Sequence, residues 1–264
     1  MRIPLYQIDA FTDKPFGGNP AAVCPLETWL DDATMQNMAL ENNLSETAFF
    51  VGGEGKYDLR WFTPAKEVDL CGHATLATSH VIFNRLEPAR DEITFSTRSG
   101  DLFVKRHGDS MEMNFPFSPA APVETNEVLL SALGGTPETF HKAAWFHMVV
   151  YQSADDVRAL RPNMQALTDY AAGPVIVTAP GDGGAADPDF VSRMFAPNEG
   201  IPEDPVTGSA HCTLVPYWSQ RLGKKKLLAH QISARLGVLQ CEDQGERISV
   251  GGQAREVLVG EFLL

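Results

Sequence analysis

Two short stretches place reactive or small polar residues at the mouth of an apolar run. Residues 69–83, DLCGHATLATSHVIF, set an acid, a thiol, a glycine and an imidazole before Ala74, Leu76, Ala77, Val81, Ile82 and Phe83. Residues 206–215, VTGSAHCTLV, repeat the plan with Gly208 and Ser209. A helix N-terminus presents unpaired N–H groups and roughly half a positive charge, so it can hold a carboxylate without lysine or arginine. Gly72 and Gly208 fit either close backbone approach to such an anion or a tight entry into the helix. His73 can donate to a bound acid or shuttle its protons, because its ordinary pKa keeps both forms accessible. The bland alternative, a satisfied structural histidine, suits His80 and His211, which lie deeper in their helices. Asp69 reads as a helix N-cap and Glu67 as a first-turn acid favoured by the helix dipole.

Two further carboxylates belong with these stretches. Asp204 lies in PEDPVTGSA, residues 202–210, either as a turn-forming Asp-Pro or as a carboxylate just outside the second helix, facing His73 across a cleft. Glu46 lies in NNLSETAFFV, residues 42–51, directly before an apolar strand. On the surface it would be a solvated strand-end acid, whereas desolvated in a cleft it can act as general base and acid.

What positions these groups is an internal repeat. RWFTP at 60–64 and RMFAP at 193–197 share Arg, Phe and Pro at a constant offset of 133, and each copy follows an apolar strand and a glycine-rich turn. Each is followed by a helical segment, GHATLATSHVIFNRL or GSAHCTLVPYWSQRL. Beyond these, Ser96, Arg98, Gly100 and Leu102 match Ser233, Arg235, Gly237 and Leu239 at an offset of 137. The order strand, turn, motif, helix, hairpin is therefore duplicated. Flanking runs of 5–8 apolar or alternating residues punctuated by Gly, Asp and Pro read as short strands. The class is α+β, two pseudo-symmetric lobes that are each mostly β with one buried helix. The Pro-rich FPFSPAAPV at 115–123 serves as linker, which puts one lobe at 1–117 and the other at 118–264. A further helix is expected near NEVLLSALG, and the ligand site in the cleft between the lobes.

Composition removes several classes. A formal charge of -13 over 264 residues excludes a nucleic-acid surface, which needs clustered Lys and Arg, and Lys224–Lys226 reads as a solvated helix end. The N-terminal segment has no continuous apolar h-region and no stretch approaches about 18 apolar residues, so a soluble cytoplasmic protein with no membrane partner is expected. The cysteines Cys24, Cys71, Cys212 and Cys241 form no C-x-x-C pair, and no His/acid spacing of a metal site occurs, so neither disulfides nor a metal is expected. GGEGK fails the Walker spacing and no G-x-G-x-x-G follows a strand, so no nucleotide cofactor is implied.

Taken together, DAFTDKPFGGNPAAV at 9–23, NLSETAFF at 43–50, RWFTPAKEVDLCGHATLA at 60–77 and EDPVTGSAHCTLVPYW at 203–218 resemble the phenazine-biosynthesis PhzF-like isomerase family. That family lies within the wider diaminopimelate epimerase fold. The resemblance implies two lobes, each a strongly curved sheet wrapped around a central helix, assembled as a homodimer. It implies cofactor-independent isomerisation, in the phenazine enzyme by moving a proton between carbons of a dihydro-hydroxyanthranilate. It makes Glu46 the acid/base, with His73 and Asp204 beside it, and Ser45, Gly72, Gly208 and Ser209 binding residues. LCGHATLA is closer to the broad branch of the family than to the dedicated phenazine enzyme. Racemases of the wider fold use two opposed thiols; Cys71 matches one, but Thr207 stands at the second and cannot serve as a base near neutrality. Cys71 then reads as a small residue packed at the helix entrance.

The expected protein is a cofactor-independent isomerase acting on a small, cyclic, unsaturated carboxylic acid by glutamate acid/base catalysis. The alternatives are an epimerase or racemase pairing Cys71 with a non-thiol partner such as Glu46, and a non-catalytic dimer that binds small acids.

Overall fold

A computed structural model describes residues 1–170, 173–184 and 187–264. The chain divides into two compact units, Met1–Asn114 with Gly251–Leu264, and Phe115–Val250. The first holds β1 (Arg2–Ala10), β2 (Asn19–Pro25), α1 (Asp32–Asn42), β3 (Glu46–Gly53), β4 (Lys56–Phe62), β5 (Glu67–Val68) and α2 (Gly72–Val81). It continues with a π-helical turn at Ile82–Leu86, β6 (Glu92–Thr97), β7 (Gly100–His107) and most of β8 (Ser110–Pro116), and it recovers the last strand of the chain, β18 (Ala254–Leu263). The second holds β9 (Ala121–Val123), α3 (Glu127–Leu133), β10 (Thr139–Lys142), β11 (His147–Val150), α4 (Ala154–Ala159), α5 (Met164–Tyr170) and β12 (Val175–Pro180). Then come β13 (Phe190–Ala196), β14 (Ile201–Asp204), α6 (His211–Leu222), β15 (Lys226–Gln231), β16 (Gly237–Asp243) and most of β17 (Arg247–Gly252). Helix α3 fulfils the expectation at NEVLLSALG, with Asn126 capping it by accepting from the Leu129 N–H.

Strand pairing gives the repeat a physical form. In the first unit β18 pairs antiparallel with β1, β1 antiparallel with β2, β2 parallel with β3, β3 antiparallel with β4, β4 parallel with β6, and β6 antiparallel with β7. The second unit repeats the series with β9, β10, β11, β12, β13, β15 and β16. Even the short strand before each buried helix recurs, β5 on β4 and β14 on β13. Both parallel steps are bridged by helices in both units, as parallel neighbours require. One exchange is hidden from a linear reading: the strand that covers β1 comes from the C-terminus, so residues 251–264 belong with the first unit and not with the lobe expected at 118–264.

Each buried helix is the core of its unit. Nine of the ten residues of α2 are buried, so it has no solvent face, as its composition required. Its polar members tolerate this because Thr75, Thr78 and Ser79 donate to the carbonyls of Cys71, Ala74 and Thr75 at 2.6, 2.7 and 2.8 Å. In α6, Trp218 is fully buried, stacks on Phe190 at 5.7 Å and donates its indole N–H to Thr178 Oγ1 at 3.0 Å. Among the described residues no helix is long and apolar enough to cross a membrane.

Candidate active site

The start of α2 gathers four of the polar groups. Parallel pairing of β2 with β3 sets Ala21 opposite Glu46, so Asn19 and Glu46 come to the same edge of the sheet, and α2 packs against both strands. The loop from Phe11 to Gly18 delivers Asn19 through left-handed backbone at Phe11 (φ 62°), Phe16 (φ 68°) and Gly18 (φ 57°). Asp9 pins this loop by accepting from the Phe16 N–H at 2.6 Å. A side chain at Gly18 would lie 1.9 Å from the Ala10 carbonyl oxygen, so glycine is obligatory there.

His73 is the centre of the cluster. Its Nε2 lies 3.0 Å from Glu46 Oε2, an ion-pair distance reached obliquely, so neither atom forms an aligned hydrogen bond. On the other edge of the ring, Nδ1 lies 3.2 Å from Asn19 Nδ2 and 3.5 Å from Cys71 Sγ. Glu46, His73 and Cys71 are buried, at 8, 5 and 6 % exposure, and Asn19 completely so, which rules out a solvated acid at Glu46. Burial by itself would depress the His73 pKa, but its interactions with Cys71 and Glu46 outweigh it and hold the imidazole well above its ordinary range. The Cys71 thiol is pushed up to about 11, first by burial and then by Glu46, so it is a thiol at neutrality and Glu46 supplies the charge that matters there.

Glu46, Cys71 and His73 also bring three metal-ligating types within 4.8 Å. Yet the imidazole turns Nδ1 to the thiol and Nε2 to the carboxylate, opposite edges of one ring. One cation cannot take both nitrogens, so the cluster has the form of a proton relay rather than a chelate.

The approach to α2 differs from expectation in two places. Cys71, not Asp69, occupies the N-cap, and no side chain caps the helix. Glu67 lies in β5 rather than in a helical turn, held by both arms of the Arg60 guanidinium at 2.8 and 2.7 Å. Asp69 instead uses its carbonyl, which accepts from Ser99 Oγ at 2.7 Å.

In the second unit, Asp204 is buried at the end of β14. Its Oδ2 accepts from Thr207 Oγ1 at 2.5 Å, while Gln231 Nε2 donates to the Asp204 carbonyl at 2.8 Å and to Thr207 Oγ1 at 3.1 Å. The Thr207 N–H returns to Gln231 Oε1 at 2.8 Å, and Ser233 Oγ donates to the Asp204 carbonyl at 3.1 Å. Thr207, at the position of the absent second thiol, thus orients a carboxylate. Gly208 is buried and Ser209 partly exposed in a tight turn whose N–H groups bond three residues back, from Ala210 to Thr207 and from His211 to Gly208. Helix α6 therefore begins at His211, three residues later than the equivalent Gly72 suggests. His211 is structural, as expected: Nδ1 bonds the Thr207 carbonyl at 2.9 Å, and burial lowers its pKa to about 4. Ser45 is half-buried immediately before β3.

Asn19, Gln231 and Asp9 were not among the residues expected from sequence. The motif DAFTDKPFGGNPAAV contains Asp9 and Asn19, and the sharp loop signal F-G-G-N-P is what points to Asn19. Nothing local marks Gln231, which lies 27 residues beyond the carbonyl it holds.

A family model for the phenazine biosynthesis-like proteins matches residues 8–260. The chain belongs to this family. It is similar to an uncharacterised isomerase of Pseudomonas aeruginosa, 50% identical over 264 residues covering all of both chains. A solved PhzF-family structure from Enterococcus faecalis superposes with a TM-score of 0.95 at 43% identity, again over all of both chains. The fold alone extends to a hydroxyproline epimerase of Agrobacterium vitis, with a TM-score of 0.65 at 10% identity over 99% of this chain and 91% of that one. Full-length relatives in this family are named isomerases, and this chain is an enzyme of that class, carrying out an isomerase- or epimerase-type reaction. Its fold is the α+β, two-unit architecture expected from the repeat, of the diaminopimelate epimerase-like kind that the resemblance implied.

Proposed function

We propose that the protein is a cofactor-independent isomerase that moves a proton within a small, cyclic, unsaturated carboxylic acid. The observation that carries this reading is a buried Glu46 carboxylate 3.0 Å from an imidazole whose other edge is occupied by Asn19 and Cys71. In the reaction the Glu46 carboxylate takes a proton from a carbon activated by the neighbouring double bond and acid group. The electron pair delocalises into the unsaturated system, and Glu46, whose proton exchanges with solvent while it is held, delivers a proton to a different carbon, so no redox partner is needed. His73 holds the charge of Glu46 before the transfer and orients its oxygen. In the first unit the N–H groups at Gly72, with Ser45, would bind a substrate carboxylate, and in the second Gly208, Ser209 and Asp204 are the corresponding binding and orienting groups. A cytoplasmic homodimer belongs to the same proposal.

The test is incubation of the protein in heavy water with a panel of cyclic unsaturated acids, reading deuterium incorporation by mass spectrometry. Incorporation that depends on Glu46 supports the isomerase. No incorporation across the panel, with binding retained, favours a small-acid-binding protein.

A second reading has its own observation: Cys71 Sγ lies 3.5 Å from His73 Nδ1, close enough to exchange a proton with it. An epimerase would then use Cys71 and Glu46 as its two proton carriers. Cys71→Ser separates the readings, because it abolishes that reaction and spares the glutamate-driven one.

A further inference from the structure

The duplicated R-x-F motif does more than mark the repeat. Arg60 forks onto Glu67 with Nε to Oε1 at 2.8 Å and Nη2 to Oε2 at 2.7 Å. Arg193 forks onto Glu203 in the same way, with Nε to Oε1 at 2.8 Å and Nη2 to Oε2 at 2.8 Å. Each guanidinium also covers the phenylalanine of its own motif, Arg60 over Phe62 at 5.1 Å and Arg193 over Phe195 at 5.0 Å. Strand register repeats as well, with Trp61 opposite Val68 and Met194 opposite Asp204. Each glutamate stands four residues before the position that opens its helix turn, Cys71 in one unit and Thr207 in the other.

Exposed ion pairs contribute little, whereas a bidentate fork specifies orientation as well as distance. These pairs are largely shielded, with Arg60 and Glu67 side chains 19 and 12 % exposed and Arg193 and Glu203 11 and 25 %. Arg193 is further fixed because its Nη1 donates to the carbonyls of Val157 and Leu160 at 3.1 and 3.0 Å. The chain from each glutamate to its helix turn is too short to absorb a displacement without moving the turn itself.

We infer that the two Arg–Glu forks are a duplicated positioning device, and that Arg193 is a positioning residue for Asp204, the residue directly after Glu203. Arg60 does the same for the Cys71–His73 turn. Arg193 sets where the Asp204 backbone leaves β14, and the Thr207–Gln231 bonds then set the direction of its carboxylate. That Asp204 serves the reaction rests on the proposed function; that the fork holds the turn does not.

The experiment compares the wild type with Arg193→Lys, which keeps the charge but not the fork, and with Arg158→Ala, which removes the exposed Arg158–Asp182 pair of the same unit. Two substrate-free NMR signals report the turn: the Thr207 backbone amide and the Gln231 side-chain amide. Both are expected to shift in Arg193→Lys and to stay in place in Arg158→Ala, and deuterium incorporation is expected to fall at least tenfold in Arg193→Lys alone. Should Arg193→Lys not fold, Glu203→Gln, which keeps size and shape, is expected to give the same pattern. Arg60→Lys is read in parallel on the His73 ring signals, which are expected to move. A loss of thermal stability with all these signals unchanged would make the forks simple staples and overturn the inference. Signals that shift while the wild type exchanges no proton on any acid uphold the positioning role and overturn the proposed function instead.

Discussion

Glu46→Gln isolates the charge of Glu46, because glutamine keeps the volume and one acceptor oxygen beside His73. No cavity opens, so packing contributes little to the outcome. On the kinetic side, general acid/base groups contribute about 10²–10⁴-fold, or roughly 2.7–5.5 kcal/mol of barrier. Deuterium incorporation should fall by that range. On the stability side, breaking a buried ion pair costs about 3–5 kcal/mol when the remaining charge is trapped. His73 is not trapped, since it can release its proton, so a loss of about 1–3 kcal/mol is expected at pH 6. The sign is set by the raised imidazole: unfolded, His73 titrates near its ordinary value of about 6.5, and folded, it titrates higher. The folded protein therefore binds more protons in that interval, so the pair's stabilisation is complete below the unfolded pKa and fades as pH rises through the folded one. Urea unfolding of wild type and variant at pH 6 and pH 10 reads this directly, with the difference expected to be larger at pH 6 than at pH 10. Equal destabilisation at both values would refute the ion pair, and exchange within tenfold of wild type would refute Glu46 as the base.

Three further outcomes test the thiol, the Asn19 loop and the buried histidine of the second unit. Cys71→Ser should retain most Glu46-dependent deuterium incorporation, and its abolition would shift the chemistry to the thiol. Gly18→Ala puts a Cβ into the Ala10 carbonyl at positive φ and should cost about 2–4 kcal/mol by urea unfolding, with the His73 ring signals moving because Asn19 is the next residue. His211, lowered to about 4 by burial, leaves the folded protein binding fewer protons than the unfolded chain between pH 6.5 and 4. Stability should therefore drop on acidification through that window by about 3 kcal/mol at most, and His211→Gln, which cannot titrate, should flatten the slope in urea midpoints.

The features readable in the sequence were those that depend on local pattern. RWFTP and RMFAP, each followed by a helix with little polar face, were enough to predict two similar units, because burying a strand–turn–helix order leaves few alternatives. Glu46 and His73 were readable as chemical types, and their encounter results from parallel pairing of β2 with β3 beside α2. What sequence could not supply was long-range pairing. The linear reading placed residues 118–264 in one lobe because it had no signal that β18 would cross back to cover β1, a partner more than 240 residues away. The same limit hid Gln231, whose bonds to Asp204 and Thr207 exist only after β15 is laid beside β13. It also misplaced Asp69, which local helix rules assigned to the cap, and Glu67, which they assigned to the first helical turn. In the fold a fork from Arg60 claims Glu67, and Cys71 takes the cap position. The fork thus keeps Glu67 on β5 and away from the start of α2, which is why a rule that reads only neighbouring residues misassigns it.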